Sequence, residues 1–269
     1  MAYPTISVIT PTFNAAATLA RCLESVAQQT YRPLEHWIID GQSTDTTLSI
    51  VKKYAQQYDH VRYVSEPDRG IYDAMNKGIA LAQGDWIYFL GGDDVFYTDQ
   101  VLTTVFGRAP LLEQDVLYGD VYSTRFNGVY DGPFDEIKIF HQNICHQALF
   151  FRKSLFQVTG PFNLQYPIYA DWDHNLKWFL NSSIIRQYVE VTVANYADSG
   201  FSSTNSETKF LEDRPFLFLS YDSRFLSKKW KVRLTKKAVK LSLKQKNGLK
   251  IIRYLYCYAL LMFGINLRK

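Results

Sequence analysis

The residues in this sequence best suited to chemistry sit in a few short loops, and the sharpest of these reads Gly91-Gly92-Asp93-Asp94. Adjacent carboxylates at the end of the apolar run Trp86 to Leu90 suit a hard divalent cation, Mg2+ or Mn2+, which prefers oxygen ligands and grips a diphosphate. The two glycines remove side-chain bulk and let a backbone or ligand come close. A plain polar turn has the same composition. Asp40, in "DGQSTD", ends another apolar run, where a carboxylate can accept a hydrogen bond from a nucleobase N–H; Ser43, Thr44 or Asp45 caps the helix behind it. Asp73, Asn76 and Lys77 fall in the early turns of "GIYDAMNKGIALAQG", where a solvated helix face would also place them. In "YADWDHNLKWF", Asp171 and Asp173 lie two residues apart on a predicted helix, about 200° around its axis, so only one of them faces any given cleft. Either also complements the helix N-terminus.

Several chemistries lack their signatures. The first strand is followed by "PTFNAAAT", not by a dinucleotide or P-loop glycine motif, and no G-x-S-x-G follows a strand. His36, His60, His141 and His174 have no metal-ligand spacing, and neither do Cys22, Cys145 and Cys257. The cysteine usage and the lack of a basic region followed by an apolar stretch at "MAYPTISVIT" predict a reducing, cytosolic setting.

The elements that must position these residues follow a repeating order. "ISVITPTFN" is a strand ended by Pro11, followed by a helix with Leu19, Cys22, Leu23 and Val26 on one face. "LEHWIID" and "VRYVSE" are further strands, each followed by a helix, the third helix being stopped by Gly84. "DWIYFL" is the fourth strand. Near-continuous apolar strands alternating with amphipathic helices predict an α/β fold with a mainly parallel sheet covered on both faces. Ligands of such sheets bind beyond the strands' carboxyl ends, which selects "PTFN", "DGQSTD", "EPDRG" and "GGDD". After "DVLYGDVYSTRFNGVYDGPF" shorter strands and turns predict a mixed or antiparallel extension, and from about Asn205 onward the chain reads as helices.

At 269 residues and 47% hydrophobic, the chain can bury a large core. Its net charge of +4 hides an asymmetry: residues 224–269 hold 14 of the 30 basic residues and none of the 26 acidic ones, leaving the rest at −10. The apolar content of this basic tail favours a membrane surface over nucleic acid. Tyr254 to Asn266 is well short of the roughly 20 residues that span a bilayer, so a helix lying in the interface is expected, the alternative being packing on the body or on a second subunit.

Taken together, "SVITPTFN", "IIDGQSTDTT" and "SEPDRGIYDAMNKGIALAQGDWIYFLGGDD" resemble the family 2 glycosyltransferases of the GT-A fold, over roughly residues 4–205. The likeness is to bacterial members that build exopolysaccharide, capsule or O-antigen, of the colanic-acid-biosynthesis type. It implies a glycosyltransferase domain over 1–205, with a nucleotide-binding half (1–100) and an acceptor half (101–205), and a helical, basic region over 206–269. By position it implies that Pro11, Thr12 and Asn14 lie along the nucleotide, that Asp40 reads the base, and that Arg69, Asp73, Asn76 and Asp93 line the nucleotide-sugar pocket. Asp93 and Asp94 stand for the metal-binding acids, with Gly91 where relatives carry a first acid. Asp171 matches the general base of an inverting reaction, with Asp173 as its rival; His146 and Gln147 reach donor or acceptor; "ADSGFSS" closes over the donor. The implied partners are a nucleotide-sugar, a UDP-sugar foremost, a saccharide acceptor on polyprenyl diphosphate, and the inner face of the cell membrane. A processive synthase would carry a spanning helix and a "QxxRW" segment; a non-catalytic nucleotide-sugar binder would use the same loops.

Overall fold

The computed structural model describes residues 3–32, 34–107, 113–124, 127–197, 207–220, 226–244, 246 and 248–262. The chain begins with β1 (Ile6–Thr12), α1 (Leu19–Ala27), β2 (Leu34–Asp40), α2 (Thr47–Gln57), β3 (Val61–Ser65), α3 (Ile71–Leu81) and β4 (Trp86–Phe89). These four strands pair in parallel in the order β3-β2-β1-β4. Every residue of β1 and β4 is buried, which is why both read as near-continuous apolar runs. Leu19, Cys22, Leu23 and Val26 form the buried face of α1 as their spacing predicts.

Two boundaries differ from expectation. Pro11 lies inside β1, opposite Ile39; β4 pairs only as far as Ile9, so at Pro11 the strand has a neighbour on one side and no second ladder in need of an N–H. Helix α3 ends at Leu81, before Gly84. Gly84 instead permits a close approach: a Cβ there would meet the Ser7 nitrogen and the Thr5 oxygen, each at 2.8 Å.

The second half continues the same sheet with β5 (Val95–Phe96), α4 (Val101–Phe106), β6 (Val116–Ser123), β7 (Gly128–Tyr130), α5 (Lys138–His141), a 3-10 turn (His146–Ala148), β8 (Leu149–Arg152), α6 (Leu155–Thr159), α7 (Ala170–Phe179) and β9 (Arg186–Asn195). Among the described residues the sheet has nine strands, ordered β3-β2-β1-β4-β8-β6-β9-β5, with β7 on β6. Strand β8 runs antiparallel to both β4 and β6, and β5 antiparallel to β9, while β6 and β9 are parallel. This is the mixed extension that the shorter strands announce. His36 and His174 are buried against Thr10 and Thr159, and desolvation holds both down to a pKa of about 3, so they are neutral core residues.

Three helices follow: α8 (Lys209–Ser220), α9 (Lys228–Lys244) and α10 (Gly248–Met262). Helix α8 belongs to the main core, with Phe210 against Tyr166 and Trp172 and Phe218 against Phe140. A smaller cluster of Phe216, Ala238 and Tyr254 joins α9 and α10 to it. No helix among the described residues is long and apolar enough to cross a membrane.

Candidate functional site

The topology explains why residues far apart in sequence meet at the end of β4. Because β8 is antiparallel to β4, with Tyr88 opposite Phe150, the turn that enters β8 lies where β4 leaves the sheet. His146 and Gln147 are therefore delivered to the Gly91–Asp94 loop. In the same way β5 pairs with the far end of β9, Val95 opposite Asn195, which brings Ala197 beside Asp94.

Asp94 is 2% exposed, and both of its oxygens are engaged: Oδ2 accepts the Gln147 side-chain amide at 2.7 Å and Oδ1 accepts the Ala197 N–H at 2.8 Å. Burial, and then the charge of Asp93, raise its pKa to about 6. Asp93 is the more open acid of the two and faces two cavities. One is a cleft of about 470 Å³ with Pro11, Thr12, Asn14, Gly70 and Asp93 in its walls; the other is a narrow space of about 60 Å³ walled by Asp93, His146, Gln147 and Asp171. Gly91 and Ile71 border both, so they adjoin. At Gly91 a Cβ would meet Asp94 Oδ2 at 2.6 Å and Asp93 Oδ1 at 3.0 Å. The missing first acid is thus the space into which the Asp94 carboxylate turns.

The remaining predicted residues divide into walls and supports. Asn14, at φ 49°, lines the cleft while its Oδ1 accepts the Thr44 N–H at 2.9 Å, locking the first loop to the second. Thr46 is the N-cap of α2, and Asp45 just before it accepts the Thr47 N–H at 2.9 Å; hydrogen bonds from the Thr47 side chain and backbone lower its pKa. Asp40 is fully buried, its carboxylate taken by Ser43 and by Ser65 Oγ at 2.6 Å, with Thr12 nearby; it braces the loops and is not in the cleft wall. Asn76 is likewise spent, both giving to and taking from the Phe162 backbone, at 3.0 and 2.9 Å. Arg69 projects outward, paired with Asp73 at 3.2 Å. Lys77 is tied to Pro67 and Glu66 rather than solvated.

On α7 Asp171 and Asp173 diverge as their spacing requires. Asp173 pairs with Lys177 at 2.9 Å, and only Asp171 lines the cavity. Asp171 Oδ1 accepts the Trp172 N–H at 2.8 Å, and His146 Nδ1 lies 3.6 Å from Oδ2.

Sequence reasoning passed over Phe13, which lines the cleft while 63% exposed, and Asp68, which leans over Gly41 so closely that a Cβ there would sit 2.4 Å from Asp68 Oδ2. The "FN" of the first loop and the glycine after Asp40 are the signals that point to them. It also passed over Tyr72 and Tyr196, which line the narrow cavity. Of "ADSGFSS", only Ala197 lies within the described residues.

A single open carboxylate beside room for a diphosphate fits a divalent cation that draws most of its ligands from substrate oxygens and water. No cluster of three acid, His or Cys ligands exists among the described residues.

The family described as "Glycosyl transferase family 2" matches residues 7–173. Among relatives, a "PGL/p-HBAD biosynthesis glycosyltransferase" of Mycobacterium tuberculosis is 42% identical over 219 residues, 80% of this chain and 86% of that protein. A chondroitin synthase of Escherichia coli is 29% identical over 184 residues, 65% of this chain and 26% of that protein. Among solved structures, S. aureus TarS 1-349 in complex with UDP-GlcNAc superposes with a TM-score of 0.66 at 18% identity, over 96% of this chain and 81% of that one. The chain covers 42% of the longer TarS structure. A mannosyltransferase from Pyrobaculum calidifontis in complex with GDP-Man and Mn2+ gives a TM-score of 0.59 at 18% identity, over 97% of this chain and 70% of that one. With a sheet and flanking helices arranged as in these GT-A enzymes, the chain belongs to glycosyltransferase family 2.

Proposed function

We propose that the protein moves a sugar from a nucleoside-diphosphate-sugar, a UDP-sugar foremost, to a hydroxyl of a saccharide acceptor, with inversion at the anomeric carbon. The observation that carries this is the junction of the two cavities at Asp93: a cleft of about 470 Å³ lies on one side, and Asp171 lines the narrow space on the other. A base on Phe13, a ribose near Asp68 and a diphosphate at Asp93 fill the cleft in order. The sugar then points at Asp171, whose carboxylate supplies the negative charge that draws off the acceptor's proton.

Asp93 would hold Mg2+ or Mn2+, with Asp94 bracing the loop behind it. A bound cation would neutralise charge on the departing diphosphate. In-line displacement by the acceptor oxygen leaves no covalent enzyme intermediate. The uridine complexes among the structural neighbours support the choice of donor, and the Mn2+ complex supports a metal. The mycobacterial relative, named for PGL/p-HBAD biosynthesis, supports a biosynthetic glycosyl transfer, and the basic tail supports an acceptor held at the inner membrane face on polyprenyl diphosphate. In this reading residues 1–205, with α8 packed into their core, carry the transfer, and α9 and α10 carry the attachment.

The test is transfer from a panel of UDP- and GDP-sugars to lipid-linked and free saccharides, with Mn2+, Mg2+ or chelator. Product that requires one donor, and that Asp93→Asn reduces by at least about tenfold, is the expected result. Tight nucleotide binding with no product from any donor and acceptor overturns the reading.

A further inference from the structure

We infer that His146, held by Asp171, is the group that takes the proton from the attacking hydroxyl. This rests on the transferase reading above and names the atom that contacts the acceptor. Asp171 Oδ1 is occupied by the Trp172 N–H at 2.8 Å, and Tyr72, whose hydroxyl lies beside the same carboxylate, donates its hydrogen to the Ile168 carbonyl at 2.8 Å. Oδ2 faces His146 Nδ1, 3.6 Å away. That is an ion-pair separation, longer than a hydrogen bond, and catalytic contacts of this kind shorten when substrate closes the site. A carboxylate facing Nδ1 selects the tautomer with its proton there, which leaves Nε2 as a pure acceptor. Nε2 is buried and has no hydrogen-bond partner among the described residues. It belongs to a side chain in the wall of the narrow cavity, where the acceptor hydroxyl must enter and where an O–H is the donor it lacks.

The two residues are fixed to each other by more than this contact. One turn along α7 from Asp171, the buried Asn175 donates its amide to Asn143 Oδ1 at 2.9 Å and to the Ile144 carbonyl at 3.0 Å, in the segment that leads into His146. On the other side Gln147 is bound to Asp94. The segment that carries the imidazole is therefore held between the helix that carries Asp171 and the loop that carries Asp93. In the reaction the acceptor oxygen bonds to the anomeric carbon as that carbon's bond to the diphosphate oxygen breaks. The diphosphate leaves with the bonding pair, the hydroxyl proton passes to Nε2, and Asp171 stabilises the imidazolium until solvent takes the proton.

The experiment compares His146→Ala, His146→Gln and Asp171→Asn in the full chain, with UDP titration to report an intact cleft. Wild-type transfer must be seen first: UDP binding without transfer in the wild type overturns the enzyme reading itself and the dyad with it. The expected result is a kcat loss of about 10²–10⁴-fold in His146→Ala, UDP affinity unchanged, and partial recovery with added imidazole. His146→Gln keeps a donor for Asp171 but has no proton-accepting nitrogen, so it should stay as slow as His146→Ala. Asp171→Asn should be slow and not recover with imidazole. If His146→Gln retains kcat within about fivefold of wild type, or His146→Ala binds UDP yet gains nothing from imidazole, then Asp171 contacts the hydroxyl directly and the assignment to His146 is overturned.

Discussion

Gln147 donates its side-chain amide to Asp94 Oδ2 at 2.7 Å, across 53 residues of sequence. With the Ala197 N–H on the other oxygen, this makes Asp94 a junction of three chain segments. Of the two acids in the loop, only Asp93 is left free of such ties among the described residues.

Restoring an acid at Gly91 therefore should not improve the site. The new Cβ would lie 2.6 Å from Asp94 Oδ2, so Gly91→Asp must push that carboxylate off Gln147 and Ala197. Overpacking and the stranded donors should cost about 1–3 kcal/mol, with no gain in Mn2+-dependent UDP affinity. Chemical denaturation and nucleotide titration check both parts; a variant as stable as wild type that binds metal more tightly refutes the account.

Phe13 presents an aromatic face to the cleft without contributing to the core. If a nucleobase stacks on it, Phe13→Ala should lose about 1–3 kcal/mol of UDP binding, while Phe13→Tyr stays near wild type. The melting temperature should not move in either, because the ring is already largely in water. Equal affinity in Phe13→Ala would place the base elsewhere.

What the sequence made legible is the part of the site fixed by local rules. Parallel strands buried on both faces write themselves as apolar runs, so β1 to β4 and the loops at their carboxyl ends could be read directly. The opposed directions of Asp171 and Asp173 followed from helix geometry alone. The rest depends on non-local pairing. The arrival of His146 at Asp171 requires β8 to run antiparallel to β4, which no local pattern encodes. Asp40 and Asn76 have the residue types and positions of ligand contacts, yet Ser43, Ser65 and Phe162 satisfy them from within. A polar side chain at a strand end looks the same in sequence whether its partner is a substrate or a neighbouring loop.

Asp131 offers a test of electrostatics away from the cleft. Burial raises its pKa from 3.8 to about 6, against the opposing pull of hydrogen bonds from the Cys145 N–H and the Gln142 amide. Because the folded value lies above the unfolded one, the protonated acid's stability is fully present below about pH 4. It is lost as pH rises through about 6. Relative to Asp131→Asn, wild type should lose on the order of 2–3 kcal/mol across that window and then level off. The backbone at this position, φ 97°, lies in the left-handed region that asparagine tolerates better than most residues, so the variant should fold. Denaturation midpoints between pH 4 and 8 measure it; parallel curves for the two proteins would contradict the burial argument.

The exposed face of α10 gives the membrane reading a test that truncation cannot. Tyr254 packs on Phe216 of α8, with ring centroids 4.8 Å apart, so deleting the tail would bare part of the body. Leu249, Ile252, Leu255 and Tyr256 point the other way and are exposed. They share one side of the helix by their spacing, and the neighbouring α9 exposes Lys236, Lys237 and Lys240. An apolar stripe beside lysines matches an anionic bilayer surface, where the stripe enters the headgroup boundary and each lysine adds about 1 kcal/mol. Reversing those three lysines to glutamate should then weaken binding to vesicles containing anionic lipid by at least about a hundredfold, leaving neutral vesicles almost unaffected. Ile252→Glu with Tyr256→Glu should weaken binding to both kinds. High salt should imitate the first set and not the second, because screening acts on the lysines and leaves apolar burial in place. A charge-reversed protein that sediments with anionic vesicles as wild type does would instead mean that this face is covered by protein.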